Sequence, residues 1–344
     1  MRSKRTILDA VMARSTIVAL IAVLVLVAFV MNAFAPPVFV DVYTYLCVSL
    51  IMVLGLQMFM GNSGILNWTY VGFVGIGAFV ASICSTPAAA KAMGVPNMYP
   101  ALVEINMPVL PALLIGGLVA AAVAAAVAWP LMRLSDAVGV ITLFAALIVI
   151  HVIMTQWDNV TNGPRTFFGV PFFTTLWIAV IGACLTLVAA HLFRESSLGL
   201  RLRASRDDRH AAKAIGINVV AVRYFSFVAS SFIAGVGGGL WAHYITSFSP
   251  KSFYITEAFL LLTMLVVGGA GSISGAFFGT VIVTVMRELL RQLEGWLNNS
   301  GVIRFEVYGL TEVAVAILLI AILIWRPGGI IGGSEIRLPF TRKK

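Results

Sequence analysis

Charged side chains are scarce in this chain. Asp, Glu, Lys and Arg make up 11% of its 344 residues, against roughly 25% in an average soluble domain. Hydrophobic residues make up 60%, with a mean hydropathy of +1.00. That balance excludes a water-soluble globule and a disordered chain. Cysteine is equally sparse: Cys47, Cys84 and Cys184 are odd in number, far apart and set in apolar runs. They form neither a disulfide framework nor a metal-ligand spacing and read as small core residues. The four histidines, His151, His191, His210 and His243, share no ligand-like spacing with carboxylates, so catalysis and metal binding lack a constellation. His151 and His243 fall in or beside apolar runs and read as hydrogen-bonded residues facing other helices. No Gly-x-x-x-x-Gly-Lys-[Ser/Thr] segment occurs, because none of the six lysines follows a glycine. The chain therefore cannot cradle a nucleotide in a P-loop. Any ATP drive must come from another subunit, and the chain itself is expected to bind no cofactor or metal.

What is present is a series of apolar runs near the roughly 20 residues that cross a bilayer. Bounded by Gly and Pro breakers, they give candidate spans near 16–34, 38–60, 67–86, 109–132, 138–155, 171–193, 222–245, 255–268, 273–292 and 306–325. The expectation is an all-α polytopic membrane protein of about ten helices, some short or broken, with 1–344 as a single transmembrane domain. The first run follows Arg2, Lys4, Arg5 and Arg14 as a secretory signal would. It exceeds the length of a signal's apolar region, and Pro36-Pro37 follow it, so an uncleaved first span is expected.

The net charge of +9 lies between the runs, which points to loop asymmetry rather than nucleic acid. Arg2 to Arg14, Arg133 and Arg194 to Arg223 fall on one side by alternation. The tail residues Arg326, Arg337, Arg342, Lys343 and Lys344 join them if 255–292 crosses twice, so both termini are expected in the cytoplasm. That double crossing needs a turn at Gly268-Gly269-Ala270-Gly271-Ser272 and a short eighth span. Arg287, Glu288, Arg291 and Glu294 then approach the outer side with nearly cancelling signs. Loops 87–108 and 156–170 lie there too, the second polar, aromatic and turn-forming.

Glycines four apart, at Gly235 and Gly239 and at Gly271, Gly275 and Gly279, share a helix face and admit a neighbouring backbone. A Gly-interrupted segment occurs in each half of the chain, Gly55 to Gly64 and Gly268 to Gly279. Paired interruptions point to a repeat-built transporter, and Asn62, Gly64, Asn67, Gly268, Gly269 and Gly271 are the candidate break or path residues. An ion-coupled carrier needs mid-span carboxylates, and the nearest, Asp41, Glu257 and Glu312, lie toward span ends.

The stretch 194–222 is the informative polar segment. At 100° per residue Ala204, Asp208, Ala211, Ala212 and Ile215 gather on one face, and Arg206, Arg209 and Lys213 on the other. The pattern predicts one short amphipathic helix that starts after Ser205, with acids in its first turn, and stops at Gly216. Its small face fits a partner's groove; the cationic face alone would also fit anionic lipid.

These residues resemble the inner-membrane permease subunits of bacterial branched-chain amino acid ABC importers, of the LivM type. Ser197 to Asn218, with Ala211-Ala212 and Gly216, is similar to the family's cytoplasmic ATPase-coupling loop. Ser226 to Ala242, Val267-Gly268-Gly269-Ala270-Gly271-Ser272, Arg287-Glu288-Leu289-Leu290-Arg291 and Ile324-Trp325-Arg326-Pro327-Gly328-Gly329 follow in the family's order. Gly61-Asn62-Ser63-Gly64-Ile65-Leu66, Gly75-Ile76-Gly77-Ala78 and Trp157-Asp158 with Thr161-Asn162-Gly163 resemble its first half. Where many members carry Ser-x-Gly-His this chain reads Asn67-Trp68-Thr69-Tyr70, and Arg209 stands where an acid is usual.

The resemblance implies the fold of type II ABC importer permeases in a bacterial inner membrane. It also implies a second permease subunit, two P-loop ATPases that use ATP, and a periplasmic substrate-binding protein. Arg201, Arg203, Arg206, Asp208, Ala211, Ala212 and Gly216 are then the expected ATPase-coupling residues.

Overall fold

The computed structural model describes residues 2–134, 136–299, 309–326 and 328–332, with side chains from Thr16 onward except at 136, 299 and 323. The start of the tenth apolar run, 306–308, and the basic residues Arg337, Arg342, Lys343 and Lys344 lie outside the described residues. The elements in order are α1 (Arg2–Phe34), α2 (Pro37–Leu56) running into a π turn (Gln57–Gly61), α3 (Tyr70–Ser85), α4 (Ala88–Gly94), α5 (Pro100–Val103), α6 (Val109–Leu131), α7 (Asp136–Gln156) and α8 (Asp158–Thr161). Then come α9 (Leu176–Glu195), α10 (Ser197–Asp207), α11 (Arg209–Ala214), α12 (Val219–Ile245), a 3₁₀ turn (Pro250–Phe253), α13 (Ile255–Gly268), α14 (Ile273–Asn299) and α15 (Leu310–Trp325). The only strand-like pairing among the described residues is one bridge, Phe167 to Phe248.

Among the described residues, eight helical segments are long and apolar enough to cross a membrane, and two shorter apolar helices, Tyr70–Ser85 and Leu310–Ile322, fall in the remaining predicted spans. The fold is thus the expected all-α polytopic membrane protein. Contacts divide it into two units, Cys47–Leu261 and Met1–Leu46 with Leu262–Lys344, and both boundaries fall inside helices, α2 and α13.

In the Cys47–Leu261 unit, α3, α6 and α12 pack on one another, most closely where small residues face one another. The inward side of α6 repeats Ala112, Gly116, Ala120, Ala124 and Ala128, all buried. Lipid gives no hydrophobic drive for helix pairing, so close backbone contact must supply it. A Cβ on Gly77 would stand 2.2 Å from the Cα and carbonyl oxygen of Gly235, and one on Gly238 would stand 2.0 Å from the Val74 carbonyl oxygen. The Gly235 and Gly239 seam predicted from spacing is this crossing.

Buried polar side chains reinforce it. Ser230 donates to the Gly55 carbonyl at 2.7 Å, Thr174 to the Leu240 carbonyl at 2.7 Å, and the fully buried His243 bridges Ser85 and the Gly239 carbonyl at 2.7 Å each. His151 instead stacks on Tyr254, ring centroids 4.0 Å apart. In loop 87–108 the buried Lys91 ammonium donates to the carbonyls of Leu102 and Ile105. Burial pushes its pKa down, and the two carbonyls offset the cost of taking a cation out of water. Asn162, at φ 68°, donates to the carbonyls of Gly94 and Thr166 and so fastens loop 156–170 to the end of α4.

α13 is the short helix expected, ending at Gly268. Gly268 and Gly279 approach so closely that a Cβ on Gly279 would lie 2.0 Å from the Met264 carbonyl oxygen and 2.7 Å from the Gly268 amide. On α14, Arg291 makes a bidentate ion pair with Glu288 at 2.9–3.0 Å. Glu294 accepts from the Gly309 amide and the Thr311 hydroxyl, each at 3.1 Å, and so caps the start of α15.

Candidate coupling surface and broken-helix site

The polar segment 194–222 is an elbow of two helices, not one. Ser196 starts α10: its hydroxyl donates to the Phe193 carbonyl at 2.6 Å and accepts from the Gly199 amide at 3.2 Å. Ser205, expected to begin the helix, lies inside α10, buried, its hydroxyl bonded to the Leu202 carbonyl at 2.7 Å. The break comes at Asp208, extended at φ −151° and ψ 112°, whose Oδ1 accepts from the amides of His210 (2.8 Å) and Ala211 (3.0 Å). An ionised carboxylate is a stronger acceptor than a hydroxyl and suits the positive end of a helix, so Asp208 takes the capping role. Those two amides hold its carboxyl below the usual range.

The α11 end is closed as the sequence predicts. Gly216 has φ +84°, its amide meets the Lys213 carbonyl at 3.0 Å, and the Ile217 amide meets the Ala212 carbonyl at 3.0 Å. That pair of bonds is the Schellman closure. The predicted small face is divided, however. Ala212 is buried, whereas Ala211, Lys213, Ile215 and Gly216 are exposed, Ile215 to 75%. Arg201 and Arg206 are exposed, and Arg203 spends one donor on the Arg194 carbonyl at 3.0 Å. The structure thus brings Asp208, Ala211 and Gly216 to one exposed elbow and turns Ala212 inward to seat it.

The first predicted break is equally well defined. After Leu56 the helix widens into the π turn Gln57–Gly61, and Gly64 takes φ +74° before the chain unwinds to α3. Asn62 donates from its side chain to the carbonyls of Met58 (3.0 Å) and Gln57 (3.4 Å), one turn back. The Ile65 amide turns to the Ser63 hydroxyl at 3.2 Å, so it no longer serves Gly61. Arg206 fills that place: its Nη1 donates to the Gly61 carbonyl at 2.6 Å. Both side-chain polar atoms of Gln57 and of Asn67, the Asn62 Oδ1 and the Tyr70 hydroxyl are buried with no hydrogen-bond partner among the described residues. Such a concentration of unpaired buried polar groups is costly in an apolar interior and is the sign of a site that takes water or solute. Asn62, Gly64 and Asn67 were legible from the sequence. Gln57 and Tyr70 were missed, although a glutamine in an otherwise apolar run is itself a signal.

The second break is closed from the C-terminal side. Gly269 has φ +117°, and Gly271 lies in the turn. The amides of Ile330 and Ile331 donate to the Val267 and Gly268 carbonyls at 2.9 and 3.1 Å, while Ser272 donates to the Gly332 carbonyl at 3.2 Å. Residues 330–332 therefore close the end of α13, a role no spacing argument suggested. Glu257 and Glu312 lie in the first turns of α13 and α15, and Asp41 lies near the start of α2. Among the described residues no group of three or more His, Cys, Asp or Glu could hold a metal ion.

Comparison with known proteins agrees with this geometry. Residues 38–325 match the family described as branched-chain amino acid transport system / permease component. The chain is 27% identical over 338 residues to the high-affinity branched-chain amino acid transport system permease protein LivM of Escherichia coli K12, covering 88% of this chain and 70% of the relative. It is 30% identical over 161 residues to the probable LivH permease of Methanocaldococcus jannaschii, covering 46% and 48%. No solved structure matches it. A chain of apolar helices with an elbow on its basic loop, a glycine break in each half and a family match across both belongs to the permease components of branched-chain amino acid transport systems.

Proposed function

We propose that this chain is one of two permease subunits of an ATP-driven importer of branched-chain or closely related small amino acids. It forms half of the path, in a bacterial inner membrane, with both termini in the cytoplasm. The observation that carries the reading is the α10–α11 elbow. It is capped at both ends, exposes Ala211, Ile215 and Gly216, and belongs to a chain that has no nucleotide-binding loop of its own. A P-loop ATPase subunit is the partner such a knob fits. Two ATPases closing on ATP would move two elbows and bias the permease pair between two rigid-body states. The partner permease is a sister subunit of the LivH kind, since this chain is similar to both LivM and LivH proteins. A periplasmic binding protein delivers the solute and sets most of the selectivity by its own affinity.

The test is to tag the chain, extract it in mild detergent from its host and identify what copurifies. Recovery of a sister permease and P-loop ATPases, with uptake blocked by vanadate, is expected. Recovery of the chain alone, with vanadate-resistant uptake that is lost on neutralising Glu257, Glu312 or Asp41, would replace this reading with an ion-coupled carrier.

A further inference from the structure

Arg206 lies in the last turn of α10, two residues before the Asp208 elbow, yet it does little to seat its own helix. That work falls to the buried Leu202 and Ser205 and to the Arg203 bond with Arg194. Its guanidinium reaches 145 residues back to the Gly61 carbonyl, the acceptor that the π turn leaves without a backbone donor. Its stem lies flat on Gly64: a Cβ there would stand 3.1 Å from Arg206 Cγ and 3.4 Å from Cδ and Nε. The absence of a side chain at Gly64, which also permits φ +74°, is what lets the arginine pass. One exposed cation therefore holds both ends of the turn 61–64, and the partnerless Gln57, Asn67 and Tyr70 flank that turn on either side.

We propose that Arg206 is a positioning residue for transport. Through Gly61 it ties the ATPase-contact elbow to the broken helix, so that movement of α11 re-sets the unwound segment 64–69 and the polar groups beside it. This rests on the ATP-driven reading above and deepens it. An arginine suits the task because its planar fork keeps one direction while the long stem follows a moving backbone.

The experiment uses the whole transporter with its partner subunits in liposomes and reads ATP hydrolysed per solute imported. R206M keeps an aliphatic arm over Gly64 and deletes every donor. It is expected to raise the ATP hydrolysed per solute imported about tenfold, the scale of one lost charge-assisted bond. R206K, with a single ammonium donor for a single carbonyl, should recover most of the uptake. G64A, which crowds the stem, should raise the ATP cost per solute as R206M does.

A second readout labels N67C with a maleimide in a cysteine-free background. The wild-type rate should change between the nucleotide-free and vanadate-trapped states, and R206M should abolish that change. An unaltered ATP-to-solute ratio in R206M, or labelling that responds to vanadate equally with and without Arg206, overturns the proposal. If R206M fails to assemble, a wild-type ratio in G64A overturns it as well. Absence of ATPase subunits from the wild-type complex would instead overturn the importer reading, and that is measured on the unmutated protein.

Discussion

The α3–α12 crossing permits a worked estimate. Gly77→Ala adds one methyl whose carbon would sit 2.2 Å from the Cα and carbonyl oxygen of Gly235. Ordinary carbon contacts need about 3.5 Å, so the two backbones must part by roughly 1.3 Å locally. Neither obstacle is a flexible side chain that could turn aside. A gap of 0.5–1 Å already forfeits a quarter to a half of the dispersion well, and the loss spreads along the seam because Gly116 packs on the Gly77 carbonyl from α6. The expected cost is about 3 kcal/mol, the upper range for overpacking a core, which lowers the melting temperature by about 6 °C. Thermal stability of the detergent-solubilised protein by fluorescence-detected size exclusion measures it. Gly139→Ala is the matched control: it is also helical, no atom lies within 4 Å of its would-be Cβ, and it should be neutral or stabilising by about 0.5–1 kcal/mol. A Gly77→Ala protein that melts within about 1 °C of wild type would refute the claim that direct backbone contact holds this unit together.

Asp208→Ala should leave the amides of His210 and Ala211 without acceptors and raise their hydrogen exchange at pH 7. Because the folded carboxyl titrates below its unfolded value, the cap is complete above about pH 4 and fades as pH falls through the lower, folded value. Wild-type protection of those amides, corrected for intrinsic rates, should therefore hold from pH 7 to 5 and fail only in stronger acid. Gly216→Val forces a branched residue to φ +84°, and Ala212→Arg drives a cation into a buried seat; both should lower ATPase retention on affinity purification several-fold while membrane insertion persists. Gly329→Ala, at φ +81° and with a Cβ 2.5 Å from the Gly269 backbone, should cost about 2 kcal/mol and expose the 268–272 turn to protease.

The helices and both breaks were legible because bilayer thickness and glycine chemistry act locally: about 20 apolar residues in a row, or Gly268-Gly269-Ala270-Gly271, carry their meaning without knowledge of the partner element. The small-residue seam was legible as a face but not as a pair, since spacing says that Gly235 is approached without saying that Gly77 and Gly116 approach it. The elbow was half-read. Helical periodicity treated 204–215 as continuous, and a capping aspartate inside a charged run looks like one more surface acid until its own backbone is seen to be extended. The contacts of Arg206 with Gly61 and Gly64, and of Ile330 with Val267, are long-range bonds between weak local patterns, which no periodicity encodes.

Rigidity and softness are distributed in a way that bears on mechanism. Within the Cys47–Leu261 unit, α3, α6 and α12 meet backbone to backbone at Gly77, Gly116, Gly235 and Gly238, and at those crossings no side chain lies between the helices to absorb a small displacement. Cores packed this tightly are bistable rather than continuously deformable, so a push delivered at α11 cannot dissipate among them. It must be taken up where the backbone has already left helical geometry. Two such places lie on the route from the elbow: Asp208 itself and the stretch from the π turn to Thr69. Arg206 sits between them, bonded to the second and two residues from the first. The unpaired buried groups Gln57, Asn67 and Tyr70 therefore border a non-helical stretch of this unit that lies outside the seam. That stretch is where a solute's polar ends could be offered partners in one state and denied them in the other.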